Sequence, residues 1–184
     1  REAIESAAEL ALSRYEPDLV VSAGFAGGVR PEMRPGGLVL CDKIWSVEGP
    51  PETWSVESAQ VTGTKNELVQ ELEALRPGAV RGGCLTVPQV VTGSAMKGWI
   101  GSHFPVAIID MESYWVSKIA SERSVQFLAM RSVLDPLEIS LPPFVGQRGY
   151  AVGKGAWMDA ARYALGCPNK ISSLVRLAKR AREA

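Results

Sequence analysis

Residues 106–116, VAIIDMESYWV, run four apolar side chains, Val106 to Ile109, into Asp110, Met111 and Glu112, and then resume an apolar pattern with Tyr114, Trp115 and Val116. A continuously apolar strand is one covered on both faces, as in a sheet with helices on either side. In the following MESYWVSKIASER, Met111, Trp115 and Ile119 recur at i, i+4 and i+8, which predicts a helix. Two carboxylates therefore sit at a strand-to-helix junction. Ligands of α/β sheets bind beyond the carboxyl ends of the strands, so Asp110 and Glu112 are candidate site residues. Each also has a structural reading: Asp110 as a helix N-cap worth about 1 kcal/mol, Glu112 as a charge complementing the helix dipole.

Outward from this junction, strand and helix patterns alternate. VQFLAMRSVLD reads as the next strand, expected to run parallel after a right-handed crossover and to end with Asp135 before Pro136. Asp135 could equally be an ordinary turn residue. At the start of the chain, Ile4, Ala7, Ala8, Leu10, Ala11 and Leu12 recur near a 3.6 period until Pro17 stops the helix. The run Asp18 to Ser22 follows as a strand, ending in AGFAGG, where Gly24, Gly27 and Gly28 suggest a tight strand-to-helix turn. Their GxxGG spacing matches neither the dinucleotide fingerprint nor a Walker loop.

GGLVLCDKIW is a further strand. TKNELVQELEAL is a helix with Thr64 as N-cap and Glu67 completing a capping box. CLTVPQVVTG reads as a Val-rich strand that Pro88 turns into an edge or bulge, and HFPVAIID as the strand before the junction. A Pro/Gly-rich connection after Asp135 leads to two helices, around Trp157 to Leu165 and Ile171 to Arg182. The expected fold class is α/β: one domain over residues 1–184, a three-layer α/β/α sandwich around a mixed, largely parallel sheet. An amphipathic helix at the very start packs on a sheet that already exists, so a preceding strand or hairpin is expected outside the chain, which would make it truncated at the N-terminus.

Composition narrows the function classes. Over 184 residues, 46% hydrophobic and 22% charged, one sizeable core is affordable, and 20 basic against 20 acidic residues leave no global field to recruit nucleic acid. Cys41, Cys84 and Cys167 form no CxxC pair, and His103 is the single histidine, so no metal is expected. No apolar run approaches the roughly 20 residues of a membrane span, and with no n-region plus h-region pattern a signal peptide is not expected. A reduced cytoplasmic protein is the expectation. His103 reads as a loop or core residue, and the five tryptophans as core or subunit contacts. The last helix carries an apolar stripe, Ile171, Leu174, Val175 and Ala178, against Lys170, Arg176, Lys179, Arg180 and Arg182. It packs on the sheet with a solvated basic face, or lies peripherally on an anionic membrane.

The segments VVSAGFAGGVRPEMRPGGLVLCD, VVTGSAMK, IIDMESYWVSKIA and VQFLAMRSVLDP, in this order and spacing, resemble the nucleoside phosphorylase and methylthioadenosine/S-adenosylhomocysteine nucleosidase superfamily. The DMES form, the RxxxDP form and the C-terminal tail are most similar to the hopanoid-associated branch, which removes adenine from adenosylhopane. The resemblance implies cleavage of a purine N-glycosidic bond, with Asp135 as the general acid at N7 of the leaving base. It implies that Glu112 binds the 2′- and 3′-hydroxyls of ribose and that Met111 packs under the sugar. Ala26 and Gly27 match the backbone that approaches the nucleoside, and Met96 and Lys97 the base-pocket segment. Lys97 departs from the aliphatic residue usual there, Leu134 from the usual serine, and Gly37 from the usual aspartate.

No cofactor is implied, with phosphate as co-substrate if the reaction is phosphorolysis. A small-molecule nucleoside and a homo-oligomer are the expected partners. The family's phosphate loop, or the glutamate that activates water in its hydrolases, is expected upstream. A short chain of this kind would be weakly active or inactive alone, and the alternative is an inactive nucleoside-binding or structural remnant.

Overall fold

The computed structural model describes residues 1–141, apart from the side chain of Asn66. The rest of the Pro/Gly-rich connection and the two helices expected after it, with Cys167, Trp157 and the basic stripe, lie outside the described residues. The elements are α1 (Glu2–Tyr15), β1 (Leu19–Gly28), β2 (Leu38–Ser46), β3 (Gln60–Gly63), α2 (Asn66–Leu75), β4 (Val80–Thr86), α3 (Ser94–His103), β5 (Ile108–Asp110), α4 (Ser113–Glu122) and β6 (Gln126–Asp135). Helix α1 has Glu2 and Glu5 in its first turn and Arg14 in its last, which complements its dipole. It closes on Glu16 at φ 44°, just before Pro17.

The sheet order among the described residues is β3-β2-β4-β5-β1-β6, and β2 pairs in addition with β6, so the strands close on themselves. The expected mixed α/β architecture is present, with β5, β1 and β6 as neighbours. Three clusters pack around the strands. Trp115, Tyr114 and Ala120 of α4 meet Val39, Cys41, Ile44 and Cys84; Ile100 of α3 and Phe104 meet Trp45, Leu85 and Val29; Val69 of α2 meets Leu40 and Leu128. Val39 and Cys41 therefore face one side and Leu40 the other, the period-2 alternation of a strand. Cys41 and Cys84 are buried free thiols, and burial pushes the Cys84 thiol well up. Trp45, Trp54 and Trp115 are buried, whereas exposed His103 stacks on Trp99 at 4.4 Å. No helix among the described residues is long and apolar enough to cross a membrane.

The structure departs from the sequence expectation at seven places. The AGFAGG segment is not a turn: β1 continues to Gly28, flanked by β6 and then by β5. Glycine is needed there for close approach, since a Cβ on Gly28 would lie 2.8 Å from Met33 Cβ and one on Gly27 3.2 Å from Ile109 Cγ1. Nor does β6 run parallel to β5. Strand β1 is parallel to β6 but antiparallel to β5, which meets only the end of β1 beyond a bulge between Ala26 and Gly27.

The capping box does not form. Thr64 N–H donates to the Asp42 carbonyl as an extension of the β2–β3 pairing, so the helix starts later with Lys65 as N-cap, and Thr64 Oγ1 is buried with no partner among the described residues. The Val-rich strand ends at Thr86, before Pro88, and β3 is added as an unforeseen edge. Residues 94–102, to which the sequence assigned no structure, form with His103 the helix α3, and the strand expected over HFPVAIID shortens to β5, Ile108–Asp110. The apolar face of α1 is only partly covered: Leu12 is buried, but Leu10 is 68% exposed.

Candidate active site

Strands β1 and β6 and the β5–α4 junction border a cavity of about 360 Å³, in the range of small-molecule sites. Its wall comprises Ser22 to Gly27 of β1, Ile109 to Glu112 at the β5–α4 junction, Arg131 and Asp135 of β6, and Val87, Val90, Val91 and Leu141. One side is thus apolar and the other carries three carboxylates and a guanidinium.

Asp110 is held from every direction. Its Oδ1 accepts from Thr86 Oγ1 at 2.7 Å, and its Oδ2 accepts from Ser113 N–H at 3.1 Å, from Ser113 Oγ and from Arg131 Nε at 2.9 Å. Thr86 Oγ1 in turn accepts from Tyr114 N–H at 3.0 Å, so the start of α4 is tied to the end of β4 as well as to β5. Arg131, only 2% exposed, also donates to the Ser22 carbonyl at 2.6 Å and to Ser22 Oγ at 3.0 Å. Burial, the largest influence, would lower the Arg131 pKa, and the charge and hydrogen bond of Asp110 together with the nearby Cys84 and Cys41 outweigh it, so that it is raised. Asp110, with its hydrogen bonds to Ser113 and Thr86, anchors the start of α4. The buried Asp110–Arg131 pair stitches β1, β5 and β6 together behind the cavity.

Asp135 is 3% exposed and ends β6 opposite Gly27. A Cβ on Gly27 would lie 3.4 Å from both Asp135 carboxylate oxygens, so glycine keeps that face of β1 open to the carboxyl. Lys97 of α3, fully buried, approaches Asp135 from beneath: its Nζ donates to Asp135 Oδ2, and to the carbonyls of Ile139 at 2.9 Å, Pro136 at 3.2 Å and Asp135 at 3.3 Å. The Asp135 carboxyl is raised above its ordinary range. Burial is the largest cause, and the charge and hydrogen bond of Lys97 offset it only in part.

Glu112 stays solvent-exposed at the mouth, where α4 begins, and its carbonyl accepts from Trp115 and Val116 N–H at 3.1 and 3.3 Å. Its carboxyl makes no capping hydrogen bond to the helix. Partial burial raises its pKa, the charge of Asp110 adds to that, and Arg131 opposes.

Of the residues singled out from sequence, Ala26, Gly27, Met111, Glu112 and Asp135 line this one cavity. Met96 and Lys97 do not: Met96 packs against the Trp45–Leu85 cluster, and Lys97 points under Asp135. The cause is that SAMK opens a helix, so that consecutive residues turn away from the cavity instead of lining it along a strand. Sequence reasoning assigned no role to Arg131, Thr86 or Ser22. The signal for Arg131 was present, since a lone arginine in the apolar strand QFLAMRSVLD needs a buried partner.

Residues 2–145 match the family model of the phosphorylase superfamily. The chain belongs to that superfamily. Among solved structures, the fold is similar to the futalosine hydrolase of Helicobacter pylori strain 26695, with a TM-score of 0.62 at 18% identity over 72% of this chain and 61% of that one. It is similar to the 5′-methylthioadenosine/S-adenosylhomocysteine nucleosidase of S. pneumoniae, with a TM-score of 0.62 at 20% identity over 73% of this chain and 64% of that one. A third likeness is the S-adenosylhomocysteine nucleosidase of Streptococcus pyogenes, with a TM-score of 0.61 at 16% identity over 74% of this chain and 63% of that one. The chain therefore spans less than two thirds of the length of these phosphorylase-fold relatives.

Proposed function

We propose that the chain, in a three-layer α/β/α arrangement around its mixed sheet, cleaves the N-glycosidic bond of a purine nucleoside or adenosyl compound and releases adenine. The observation that carries this reading is the meeting of Asp135 and Glu112 on one small-molecule cavity, in a member of the phosphorylase superfamily. Breaking a purine N-glycosidic bond develops positive charge on the sugar and negative charge on the base. A carboxyl held above its ordinary range suits protonation of the leaving base, and Asp135 is of that kind. Glu112, at the mouth, accepts the two ribose hydroxyls through charge-assisted bonds, with Met111 beside it under the sugar and Ala26 and Gly27 offering bare backbone.

The apolar wall of Val87, Val90 and Val91 suits a planar base. The narrowest form of the proposal takes adenosylhopane as substrate, a homo-oligomer as the working unit and phosphate as co-substrate. A second reading, nucleoside binding without turnover, is favoured by one observation: Lys97 holds Asp135 in an ion pair, the charge state opposite to that of an acid.

Incubation with adenosyl compounds, with and without phosphate, and chromatography for free adenine decides between them. Release only with phosphate identifies phosphorolysis, and release without it hydrolysis. Saturable binding of the same compounds with no adenine formed establishes the second reading.

A further inference from the structure

The ammonium of Lys97 has four oxygen partners and no exposure to solvent, and all four belong to the stretch from Asp135 to Ile139. An isolated buried ammonium is costly, so a lysine persists in such a place only where its neighbours are arranged for it. The arrangement here is specific. Helix α3 supplies the lysine, and the turn after β6 folds its carbonyls around it: Ile139 N–H bonds the Pro136 carbonyl at 3.1 Å, and Leu141 N–H bonds the Thr92 carbonyl at 2.8 Å. Leu134, just before the aspartate, has no polar side chain to offer, so the carboxyl is steadied from another side.

We propose that Lys97 is a positioning residue for Asp135: its ammonium grips one carboxylate oxygen and the backbone of the 135–139 turn, aims the carboxyl into the cavity, and governs whether that carboxyl holds a proton. This rests on the proposed cleavage reaction for its catalytic meaning, but not for the pairing itself. The other charged groups around the site among the described residues are Arg131 and Asp110 at the back of the cavity, Glu112 at its mouth and Glu138 on the turn. Arg131 and Asp110 neutralise each other, and Glu138 is exposed, which leaves Lys97 as the charge in direct contact with Asp135.

Removal of the cation takes away the influence that lowers the Asp135 pKa and leaves burial unopposed. The carboxyl in K97M should therefore titrate at higher pH than in the wild type, by about 1–3 units, the usual reach of an adjacent opposite charge. The measurement is carbon-13 NMR of aspartate side-chain carboxyls across pH, with the Asp135 signal assigned as the one missing in D135N. The midpoint should rise in K97M and return towards the wild-type value in K97R, which restores a cation. In parallel, the alkaline limb of the turnover profile in K97M should move to higher pH, because the acid stays protonated longer, while its maximum falls.

An unmoved Asp135 midpoint in K97M overturns the proposal whether or not the protein cleaves nucleosides. A moved midpoint with no turnover in the wild type confirms the pairing and its control of the proton, and sinks only the cleavage reading. A moved midpoint with an unmoved alkaline limb confines Lys97 to holding the turn and overturns its governing role. If K97M does not fold, nitrogen-15 NMR of the lysine ammonium groups serves instead: a slowly exchanging Lys97 signal in the wild type that shifts in D135N supports the pairing, and its absence overturns it.

Discussion

At the scale of single residues, the two aspartates at the ends of β5 and β6 look alike in sequence and differ in environment. Asp110 is saturated by hydrogen bonds from Thr86, Ser113 and Arg131, so its side chain serves structure. Asp135 has one cationic partner, Lys97, and lies on the cavity wall with its carboxyl raised by burial. Asp135→Asn is nearly isosteric, and its amide oxygen can still accept from Lys97. It should leave fold and nucleoside affinity close to the wild type and lower turnover by about 10²–10⁴, the usual share of general acid catalysis. Steady-state kinetics with two substrates checks this: one whose leaving group needs no protonation should lose much less rate. Equal losses would make Asp135 a turn residue.

At the scale of elements, α3 links the site to the rest of the fold. It brings Lys97 beneath Asp135, buries Ile100 in the Trp45–Leu85 cluster, and crosses the chain after β1 so closely that a Cβ on Gly101 would lie 2.1 Å from the Val29 carbonyl oxygen. Backbone on that side cannot yield as a flexible side chain would. Gly101→Ala should therefore cost about 1–3 kcal/mol in urea unfolding, the range for overpacking. Gly93→Ala, at the N-cap of the same helix with open space around it, should cost less, about 0.5–1 kcal/mol for the poorer cap alone. Equal effects at the two positions would show that α3 docks loosely at Val29. The helix escaped sequence reading because Gly98 and Gly101 weaken its propensity and its apolar positions are few, so tertiary packing of Ile100 decides it.

At the scale of the whole molecule, the closed mixed sheet gathers three carboxylates at one cavity, and this shapes stability against pH. Glu112 has a folded pKa above its unfolded one, by partial burial and then by Asp110. The folded state then holds the proton more tightly than the unfolded state. Below the unfolded pKa both states are protonated and nothing is lost; as pH rises through the window up to the folded pKa, stability falls. Relative to Glu112→Gln, the wild type should lose ground in urea midpoint from about pH 4 upward and level off once the folded group has ionised. Parallel midpoints across that range would mean that Glu112 does not feel its neighbour. The same variant should bind nucleoside more weakly, since an amide presents a single acceptor oxygen to two hydroxyls.

Periodicity and local chemistry decided much of this in advance. The α1 pattern up to Pro17, the apolar runs of β2 and β6, and the junction of Asp110, Met111 and Glu112 with α4 all depend on interactions within a few residues, and those are written in order along the chain. The convergence of Gly27, Glu112 and Asp135 was legible only in part: the ends of β1 and β6 lie side by side in parallel, whereas β5 brings Glu112 to them from the opposite direction. Tertiary structure alone decided the sense of β5 against β1, the β2–β6 closure, the loss of the Thr64 cap to the Asp42 pairing, and the partners of Arg131 and Lys97. The physical reason is distance along the chain. Lys97 and Asp135 are 38 residues apart, and a buried charge finds its partner only after packing has excluded water around both.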